Sequence, residues 1–337
     1  MTTSLPTEMR CVIAPDPGGP EAAVIAHRPV PRPRAGEVLV RVRASSVSRP
    51  DTIQRQGLYP PPPGAPDVLG LELAGEIAGL GADVEDWQVG DQVCALTIGG
   101  NADFCVVPAA LLLPVPDGLT MLEAASLPEN LCTAWDAIVR RGHVRGDETV
   151  LVHGGSSGLG SMAIQLATAL GASVATTAGS EAKTAFCREL GADLAVNYHD
   201  VDFLEAVKEW TSGRGVDFIV DLVGADYMQR NLQALALDGR LSVLANLAED
   251  SVAPVDLRVM LRRRLTIKAA TLKARSVEQK AEVIRGLRTD VWPLFASGAM
   301  KPAIDSVFPL GEVAAAHAQL ESSQHMGKIV LDLTAEV

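Results

Sequence analysis

The chain has 337 residues, enough for two domains, and its formal net charge is −12 at pH 7. This charge argues against general binding to nucleic acids or anionic membranes. No apolar stretch is long enough to span a bilayer, no signal-peptide pattern opens the chain, and five scattered cysteines suit a reducing compartment, so we expect a cytoplasmic protein.

Short strands and closely spaced turns are predicted for the first part of the chain. Residues 9–46 alternate between apolar and polar side chains, most clearly in the segment 37–44. Glycine and proline then recur at short intervals from Gly57 to Gly90, including successive prolines at 60–63. This pattern is typical of a compact, mostly β domain.

A glycine-rich turn follows the apolar strand predicted at residues 149–152. An apolar helix begins where the turn ends, so backbone N–H groups at the helix start are available to bind a phosphate. Compared with the dinucleotide-binding pattern, Gly155 is predicted to make the tight turn, Ser157 replaces the middle glycine, and Gly160 allows close helix–strand packing. The predicted phosphate-binding residues are Gly155, Ser156, Ser157, Gly158, Leu159 and Gly160.

Strands and helices alternate after this turn. Strands are predicted at residues 173–177, 194–197, 216–223, 239–245 and 265–272, and helices at 162–170, 181–190, 203–211 and 227–235. Such alternation is typical of a doubly wound parallel sheet, and the near-continuous apolar strands fit a sheet that is covered on both faces. We therefore predict an α/β dinucleotide-binding domain of the Rossmann type.

The end of the second strand of this domain favours NADPH over NADH. Domains that prefer NADH carry an Asp or Glu about 20 residues after the glycines, which accepts hydrogen bonds from the ribose hydroxyls. Here the strand ends in Ala178, Gly179 and Ser180, and Lys183 follows three residues later. A hydroxyl and an ammonium group suit the 2′-phosphate of NADPH, whereas a carboxylate would repel it. The alternative is that Lys183 is an ordinary solvated side chain in the first turn of a helix.

The last part of the chain returns to the β domain. A helical stretch is predicted at residues 277–296, a strand near 304–308 and a final strand at 328–333. The simplest arrangement is a β domain that is interrupted by a nucleotide-binding insertion and completed by the tail. The predicted domains are 1–128 together with 275–337 and, between them, 129–274, and we expect the active site in the cleft between the two domains.

Four motifs carry more specific information than the glycine-rich turn alone, and they lie at residues 54–59, 69–75, 152–160 and 178–183. Together they resemble the medium-chain dehydrogenase/reductases, and more narrowly the zinc-free quinone oxidoreductases related to zeta-crystallin. Within these, the p53-inducible quinone reductase branch is the most similar. The resemblance covers essentially the whole chain. It implies a GroES-like, mostly β catalytic domain and a Rossmann domain that binds NADPH.

The metal ligands of the related zinc alcohol dehydrogenases are missing from the matching positions. Those enzymes carry a His within a Gly-His-Glu run, and here the run is Gly70-Leu71-Glu72. Cys94 and Cys105 also stand alone in the sequence, so no tetrahedral zinc site is predicted. Without a Lewis acid, alcohol oxidation is disfavoured, and the expected chemistry is reduction of an electron-poor small molecule, a quinone or an activated alkene.

The resemblance also implies candidate residues for the acceptor. The hydroxyl of Tyr59 can donate to a developing oxyanion and its ring can stack on a quinone, or the side chain only packs a turn before the prolines. Asp51 matches a position of the family's pocket but has the alternative role of fixing the loop. Ser48 stands where the family usually has asparagine. This difference leaves the orientation of the acceptor open.

For the cofactor, the resemblance implies contacts from residues in both domains. Each of Thr133, Tyr198 and Lys328 also has a purely structural alternative. The candidate cofactor-binding residues outside the glycine-rich turn are Thr133, Gly179, Ser180, Lys183, Tyr198, Ala245, Asn246 and Lys328.

Three functions remain open at this point. The first is an NADPH-dependent quinone oxidoreductase, the second is an NADPH-dependent enoyl or alkenal double-bond reductase, and the third is a non-catalytic NADPH-binding protein. The apolar strand at 265–272 is predicted at the edge of the sheet, where relatives pair across a two-fold axis. We therefore also predict a homodimer.

Overall fold

The structure, a computed structural model, describes residues 5–247 and 252–335. The chain divides into two compact units. Of the described residues, the first unit comprises 5–129, 273–296 and 302–335, and the second comprises 130–247, 252–272 and 297–301. None of the helices in the described ranges combines the length and hydropathy that a membrane span requires.

The regular elements are numbered in chain order. The strands are β1 (Glu8–Ile13), β2 (Val24–Pro29), β3 (Glu37–Val47), β4 (Glu72–Leu80), β5 (Gln92–Leu96), β6 (Phe104–Pro108), β7 (Leu112–Pro114), β8 (Thr149–Val152), β9 (Ser173–Ala178), β10 (Leu194–Asn197), β11 (Val216–Asp221), β12 (Leu235–Val243), β13 (Thr266–Ala269), β14 (Ile304–Pro309) and β15 (Lys328–Asp332). The helices are α1 (Arg49–Arg55), α2 (Met121–Ala124), α3 (Pro128–Trp135), α4 (Gly158–Ala169), α5 (Glu181–Glu189), α6 (Phe203–Trp210), α7 (Met228–Ala234), α8 (Leu257–Arg263), α9 (Val277–Asp290), α10 (Trp292–Ala296) and α11 (Val313–Glu321).

The second unit is a parallel sheet with helices between its strands. The strand order is β10-β9-β8-β11-β12-β13, and every neighbouring pair is parallel. The order reverses at β8, as in doubly wound dinucleotide-binding folds. Its core packs apolar side chains of the central strands, such as Leu151, Ile219 and Leu241, against Val207 and Leu232 from the helices. The predicted fold class is confirmed for this part of the chain.

The first unit is built on a mostly antiparallel sheet. Its strand order is β14-β15-β3-β4-β5-β7, with β6 also paired to β3, and β1 and β2 form a separate hairpin sheet. β15, the last strand in the chain, lies between β14 and β3. The tail therefore completes the sheet that the first residues begin, and the predicted mostly β unit is confirmed.

The helical stretch predicted over residues 277–296 is present but is divided into two helices. α9 ends at Asp290, and a new short helix, α10, begins at Trp292. Pro293 explains the break, because proline has no backbone N–H to donate to the preceding turn. Proline is tolerated in the first turn of α10, where that N–H has no partner to lose.

Candidate functional site

The glycine-rich turn joins β8 to α4 and brings its backbone very close to β9. The left-handed residue is Gly154, with φ of +67°. Gly155 is the second residue of the turn that the Ser157 N–H closes on the Gly154 carbonyl oxygen at 3.0 Å. Space also requires a glycine there, because a Cβ on Gly155 would lie 2.0 Å from Thr176 Oγ1. A Cβ on Gly160 would lie 2.2 Å from the carbonyl oxygen of Gly154, which confirms close packing of the helix against the turn.

The first turn of α4 presents backbone donors beyond this crowded turn. Ser157 is the N-cap, and its Oγ accepts the N–H of Gly160 at 3.0 Å. The N–H groups of Gly158 and Leu159 have no acceptor among the contacts of the described residues. N–H groups at a helix start, together with the helix dipole, suit a phosphate.

The carboxyl ends of β9 and β10 bring together residues predicted to recognise a 2′-phosphate. Ser180 caps α5, and its Oγ accepts the N–H of Lys183 at 3.3 Å. Tyr198 follows β10, is 44% exposed, and packs so closely that a Cβ on Gly179 would lie 2.5 Å from its hydroxyl oxygen. No Asp or Glu stands at the tip of β9, where the residues are Ala178, Gly179 and Ser180.

The remaining cofactor candidates of this unit lie after β12 and in α3. Asn246 is exposed, and its Oδ1 accepts the N–H of Ala225 at 2.9 Å. Gly224 has φ of +90°, and a Cβ there would lie 2.2 Å from that same oxygen, so the segments after β11 and β12 are in close contact. Thr133 is half-buried in α3.

Sequence analysis missed a buried network that links the ends of β8 and β11. His153 Nε2 lies 2.7 Å from Asn231 Oδ1, and Asn231 Nδ2 donates to Asp221 Oδ2 at 3.1 Å. Asp221 accepts the N–H groups of Val223 and Gly224. Because Asn231 turns its oxygen to the ring, His153 must carry its hydrogen on Nε2. Burial lowers the pKa of His153 to about 4, so the ring is neutral.

In the first unit, Lys328 joins Ser48 in a buried polar cluster. Lys328 Nζ lies 2.6 Å from Glu72 Oε1 and donates to Ser48 Oγ at 2.7 Å. Glu72 also accepts the hydroxyl of Ser46 and the N–H of Glu129, the latter at 2.8 Å. Burial alone would lower the pKa of Lys328, but the carboxyl groups of Glu72 and Glu129 outweigh it and raise the pKa. Lys328, which is predicted to contact the cofactor, is therefore hydrogen-bonded to Ser48, a candidate acceptor-binding residue.

Two further carboxyl groups, those of Asp51 and Glu129, interact electrostatically with Lys328. Asp51 is buried and accepts the N–H groups of Ser48 at 2.8 Å and Gly70 at 3.0 Å, so it fixes the loop that carries Ser48. Burial raises the pKa of Asp51 to about 6 and that of the half-buried Glu129 to about 7.

Tyr59 is held by a lysine that no local pattern indicated. Lys273 Nζ lies 3.8 Å from the centroid of the Tyr59 ring and donates to the Tyr59 carbonyl oxygen at 2.9 Å. The same group donates to Gln54 Oε1 at 3.0 Å. Burial lowers the pKa of Lys273. A cation over the ring face and a second bond to the backbone fix the position of Tyr59.

Across residues 5–247 and 252–335, no group of three or more His, Cys, Asp and Glu side chains is arranged to hold a metal ion.

Two family descriptions match the chain. Residues 34–117 match "Alcohol dehydrogenase GroES-like domain" and residues 158–285 match "Zinc-binding dehydrogenase". The quinone oxidoreductase of Rattus norvegicus is 30% identical over 327 residues, which cover 96% of this chain and 97% of that protein.

The chain is also similar to a segment of a polyketide synthase and to a quinone oxidoreductase of known structure. A mycocerosic acid synthase-like polyketide synthase of Mycobacterium tuberculosis is 31% identical over 303 residues, covering 89% of this chain. This chain spans only 14% of the length of that synthase. The structure of Escherichia coli quinone oxidoreductase complexed with NADPH superposes with a TM-score of 0.85 at 28% identity, covering 96% of this chain and 99% of that one.

Proposed function

Because the chain belongs to the medium-chain dehydrogenase/reductase superfamily, we propose that it is an NADPH-dependent reductase that transfers hydride to a quinone without a metal ion. Support comes from two quinone oxidoreductases, of rat and of Escherichia coli, that this chain resembles over nearly its whole length. The second of these was solved in complex with NADPH.

The second unit has the features that a bound NADPH requires. The N–H groups of Gly158 and Leu159 suit the pyrophosphate, and the missing side chains of Gly155 and Gly160 let the turn pack against β9 and the start of α4. When bound, NADPH supplies the hydride. We expect the 2′-phosphate beside Ser180, Lys183 and Tyr198. The tip of β9 carries no carboxylate, which would repel the phosphate. The expected nicotinamide contacts are Thr133, Ala245 and Asn246.

The Lys328–Glu72 ion pair is the observation that carries the metal-independent part of the proposal. Lys328 Nζ, 2.6 Å from Glu72 Oε1, already neutralises the carboxylate of the Gly-Leu-Glu run. A metal ion bound to Glu72 would meet the like charge of this ammonium group, and the neighbouring Leu71 offers no ligand. An electron-poor acceptor needs a hydride and a proton, which a site without a Lewis acid can provide.

On the acceptor side, Tyr59 and Ser48 are the proposed hydrogen-bond donors. Lys273 holds the Tyr59 ring in place, so the ring is pre-organised to stack on a planar quinone and its hydroxyl to donate to an oxygen of the acceptor. Asp51 fixes the loop at Ser48 through the Ser48 N–H. These residues orient the acceptor and stabilise the oxyanion that hydride transfer creates.

A second candidate function is reduction of an activated double bond, as in an enoyl thioester or an alkenal. The similarity to a segment of a polyketide synthase favours it, because such synthases build acyl chains. Ser48, at a position where quinone oxidoreductases usually carry asparagine, also allows a different acceptor.

NADPH oxidation with 1,2-naphthoquinone, an enone or an enoyl thioester as acceptor tests this proposal. We expect quinone-dependent oxidation of NADPH, with NADH much poorer. Lys183→Glu should reduce the preference for NADPH about ten- to hundredfold, because it replaces a charge-assisted hydrogen bond with repulsion. Lys208→Glu, at a half-buried position of α6 as Lys183 is of α5, is the matched control and should leave the preference unchanged. Turnover of the enone or the thioester alone would assign double-bond reduction instead.

A further inference from the structure

A buried chain of hydrogen bonds in the second unit connects the glycine-rich turn to the end of β11. The N–H of Gly154 donates to Thr177 Oγ1 at 3.3 Å, and that oxygen lies 3.1 Å from His153 Nδ1. Because His153 carries its hydrogen on Nε2, Nδ1 must accept the hydroxyl hydrogen of Thr177. Nε2 donates to Asn231, and Asn231 donates to Asp221. We call these four buried side chains, Thr177, His153, Asn231 and Asp221, the His153 chain.

The His153 chain joins two backbone segments. At one end is Gly154, whose left-handed φ of +67° belongs to the turn that precedes the N–H donors of α4. At the other end, Asp221 accepts the first two N–H groups of the segment 223–225. The third N–H of this segment donates to Asn246 Oδ1 at 2.9 Å. Every donor between the turn and Asp221 points the same way, so the bonds strengthen one another.

The two ends lie in different halves of the expected NADPH site. A doubly wound sheet consists of two mononucleotide-binding halves, and here they meet at β8. The start of α4 and the tip of β9 are the expected sites of the pyrophosphate and the 2′-phosphate. Asn246 follows β12, in the other half, and is an expected contact of the nicotinamide. The His153 chain therefore connects residues expected at the two ends of one cofactor.

Ring contacts fix the orientation of His153 within this chain. Its ring packs edge-on against Phe203 and Tyr227, with centroids 4.7 and 4.8 Å away. Burial lowers the pKa of His153 to about 4, so the ring is neutral and the hydrogen bonds keep their direction at neutral pH. A shift of the turn is thus passed through a ring that neither rotates nor changes its charge.

We propose that the His153 chain holds the nicotinamide half of the site in register with the phosphate half, so that NADPH binds to both as one ligand. His153, Asn231 and Asp221 are positioning residues in this role, because they act through the backbone of 223–225 and through Asn246. This inference rests on the NADPH binding of the proposed function and is independent of the acceptor.

Two ligands distinguish positioning from a purely structural role. Adenosine 2′,5′-bisphosphate carries the phosphate half of the cofactor without the nicotinamide, whereas NADPH carries both. A chain that only satisfies buried polar groups would, when cut, weaken both ligands alike or neither. A chain that positions one half against the other would weaken NADPH alone, because each half keeps its own hydrogen bonds when the middle link is cut.

Calorimetric titrations of both ligands test this difference. His153→Phe keeps a ring against Phe203 and Tyr227 but removes both hydrogen bonds of that ring. We expect it to bind NADPH about fivefold more weakly and adenosine 2′,5′-bisphosphate within about twofold of the unmodified protein. His153→Gln, which keeps a donor and an acceptor, should retain most of the NADPH affinity. Tyr227→Phe alters the same ring cluster outside the His153 chain and is the matched control, which should change neither affinity.

Hydrogen exchange in the unmodified protein gives a readout that does not require a variant to fold. The N–H groups of Leu244 and Leu247 donate to the carbonyl oxygens of Asp221 and Val223, beside the end of the His153 chain. Adenosine 2′,5′-bisphosphate should slow exchange at residues 244–247, in the half of the site that this ligand leaves empty.

Unchanged exchange at residues 244–247 would overturn the positioning role. Unchanged NADPH affinity in His153→Phe, or an equal loss for both ligands, would overturn it as well. If the unmodified protein does not bind NADPH, the proposed function on which the inference rests fails instead.

Discussion

Arg55 is a fully buried cation whose partners all come from distant parts of the first unit. Its Nη2 donates to Glu321 Oε1 at 2.5 Å, its Nε to the Gly18 carbonyl oxygen at 3.2 Å, and its Nη1 lies 3.2 Å from His317 Nδ1. Because a guanidinium group only donates, Nδ1 must accept, and His317 is neutral with its hydrogen on Nε2. Burial, and then the charge of Arg55, lower the pKa of His317 to about 4.

His317 should make the stability of the protein sensitive to acid. The unfolded chain takes up a proton at this ring near pH 6.5, whereas the folded chain does so only near pH 4. The contribution of His317 to the free energy of unfolding is therefore complete above pH 6.5 and is lost as pH falls towards 4. Denaturant unfolding at about pH 7 and about pH 4.5 should therefore show a smaller acid loss for His317→Gln than for the unmodified protein, by up to roughly 3 kcal/mol.

His27→Gln is the matched control, because His27 is exposed on β2 of the same unit. It should show the same acid loss as the unmodified protein. Equal losses in His317→Gln and the unmodified protein would contradict a neutral, acid-sensitive His317.

At the scale of elements, the turn between β8 and α4 needs glycines mainly because a Cβ would collide with neighbouring atoms. A left-handed backbone is the lesser reason. Only Gly154 of the three glycines at 154, 155 and 160 has a left-handed φ. A side chain at Gly160 would meet backbone, the carbonyl oxygen of Gly154 at 2.2 Å. A side chain at Gly79 in β4 would meet only Leu39 Cβ at 3.7 Å, an ordinary contact.

Gly160→Ala should therefore destabilise the protein by about 1–3 kcal/mol, the usual cost of overpacking, and weaken NADPH binding, because the turn must move away from the helix start. Gly79→Ala is the matched control, and we expect it to change stability by less than about 1 kcal/mol and NADPH affinity not at all. Thermal unfolding and a fluorescence titration with NADPH measure both effects. Equal behaviour of the two variants would refute the close approach.

Local sequence patterns predicted most elements of the second unit, because the residues that begin and end these strands and helices lie next to them in the sequence. The helix predicted at 181–190 ends before Gly191, and α5 indeed stops at Glu189 with Gly191 at φ of +107°. The stretch predicted at 277–296 is helical but is divided in two for an equally local reason, since Pro293 could have been read from the sequence as a break. The glycine-rich turn was placed correctly, but which glycine has a left-handed φ and which one makes room for its neighbours depends on β9 beside it.

The polar cluster of the first unit was not predictable in the same way. Lys328 and Ser48 are bonded across 280 positions, and Lys273 reaches Tyr59 across 214. No spacing rule relates residues so far apart, because only the pairing of β15 with β3 brings Lys328 near Ser48. The resemblance to known reductases indicated Ser48, Asp51, Tyr59 and Lys328 separately. The sequence carried no sign that Glu129 belongs with them.

At the scale of the whole molecule, we still predict a homodimer. β13 is the edge strand of the parallel sheet and pairs with β12 on one side only, within the described residues. An open edge of this kind is a template for pairing with a second chain. Light scattering over a dilution series should give the mass of two chains. A mass of one chain at every concentration would reject the prediction.

The position of β15 also sets the order in which a nascent chain can complete its parts. Residues 130–272 are nearly sufficient for the second unit, whereas β3 waits for a neighbour that the ribosome makes roughly 280 residues later, about 14–56 s at ordinary synthesis rates. Throughout that interval Glu72 has no Lys328 to neutralise it, and residues 44–47 of β3 lack their partner strand on one side. The first unit is thus completed after the second, although β3 is made before it.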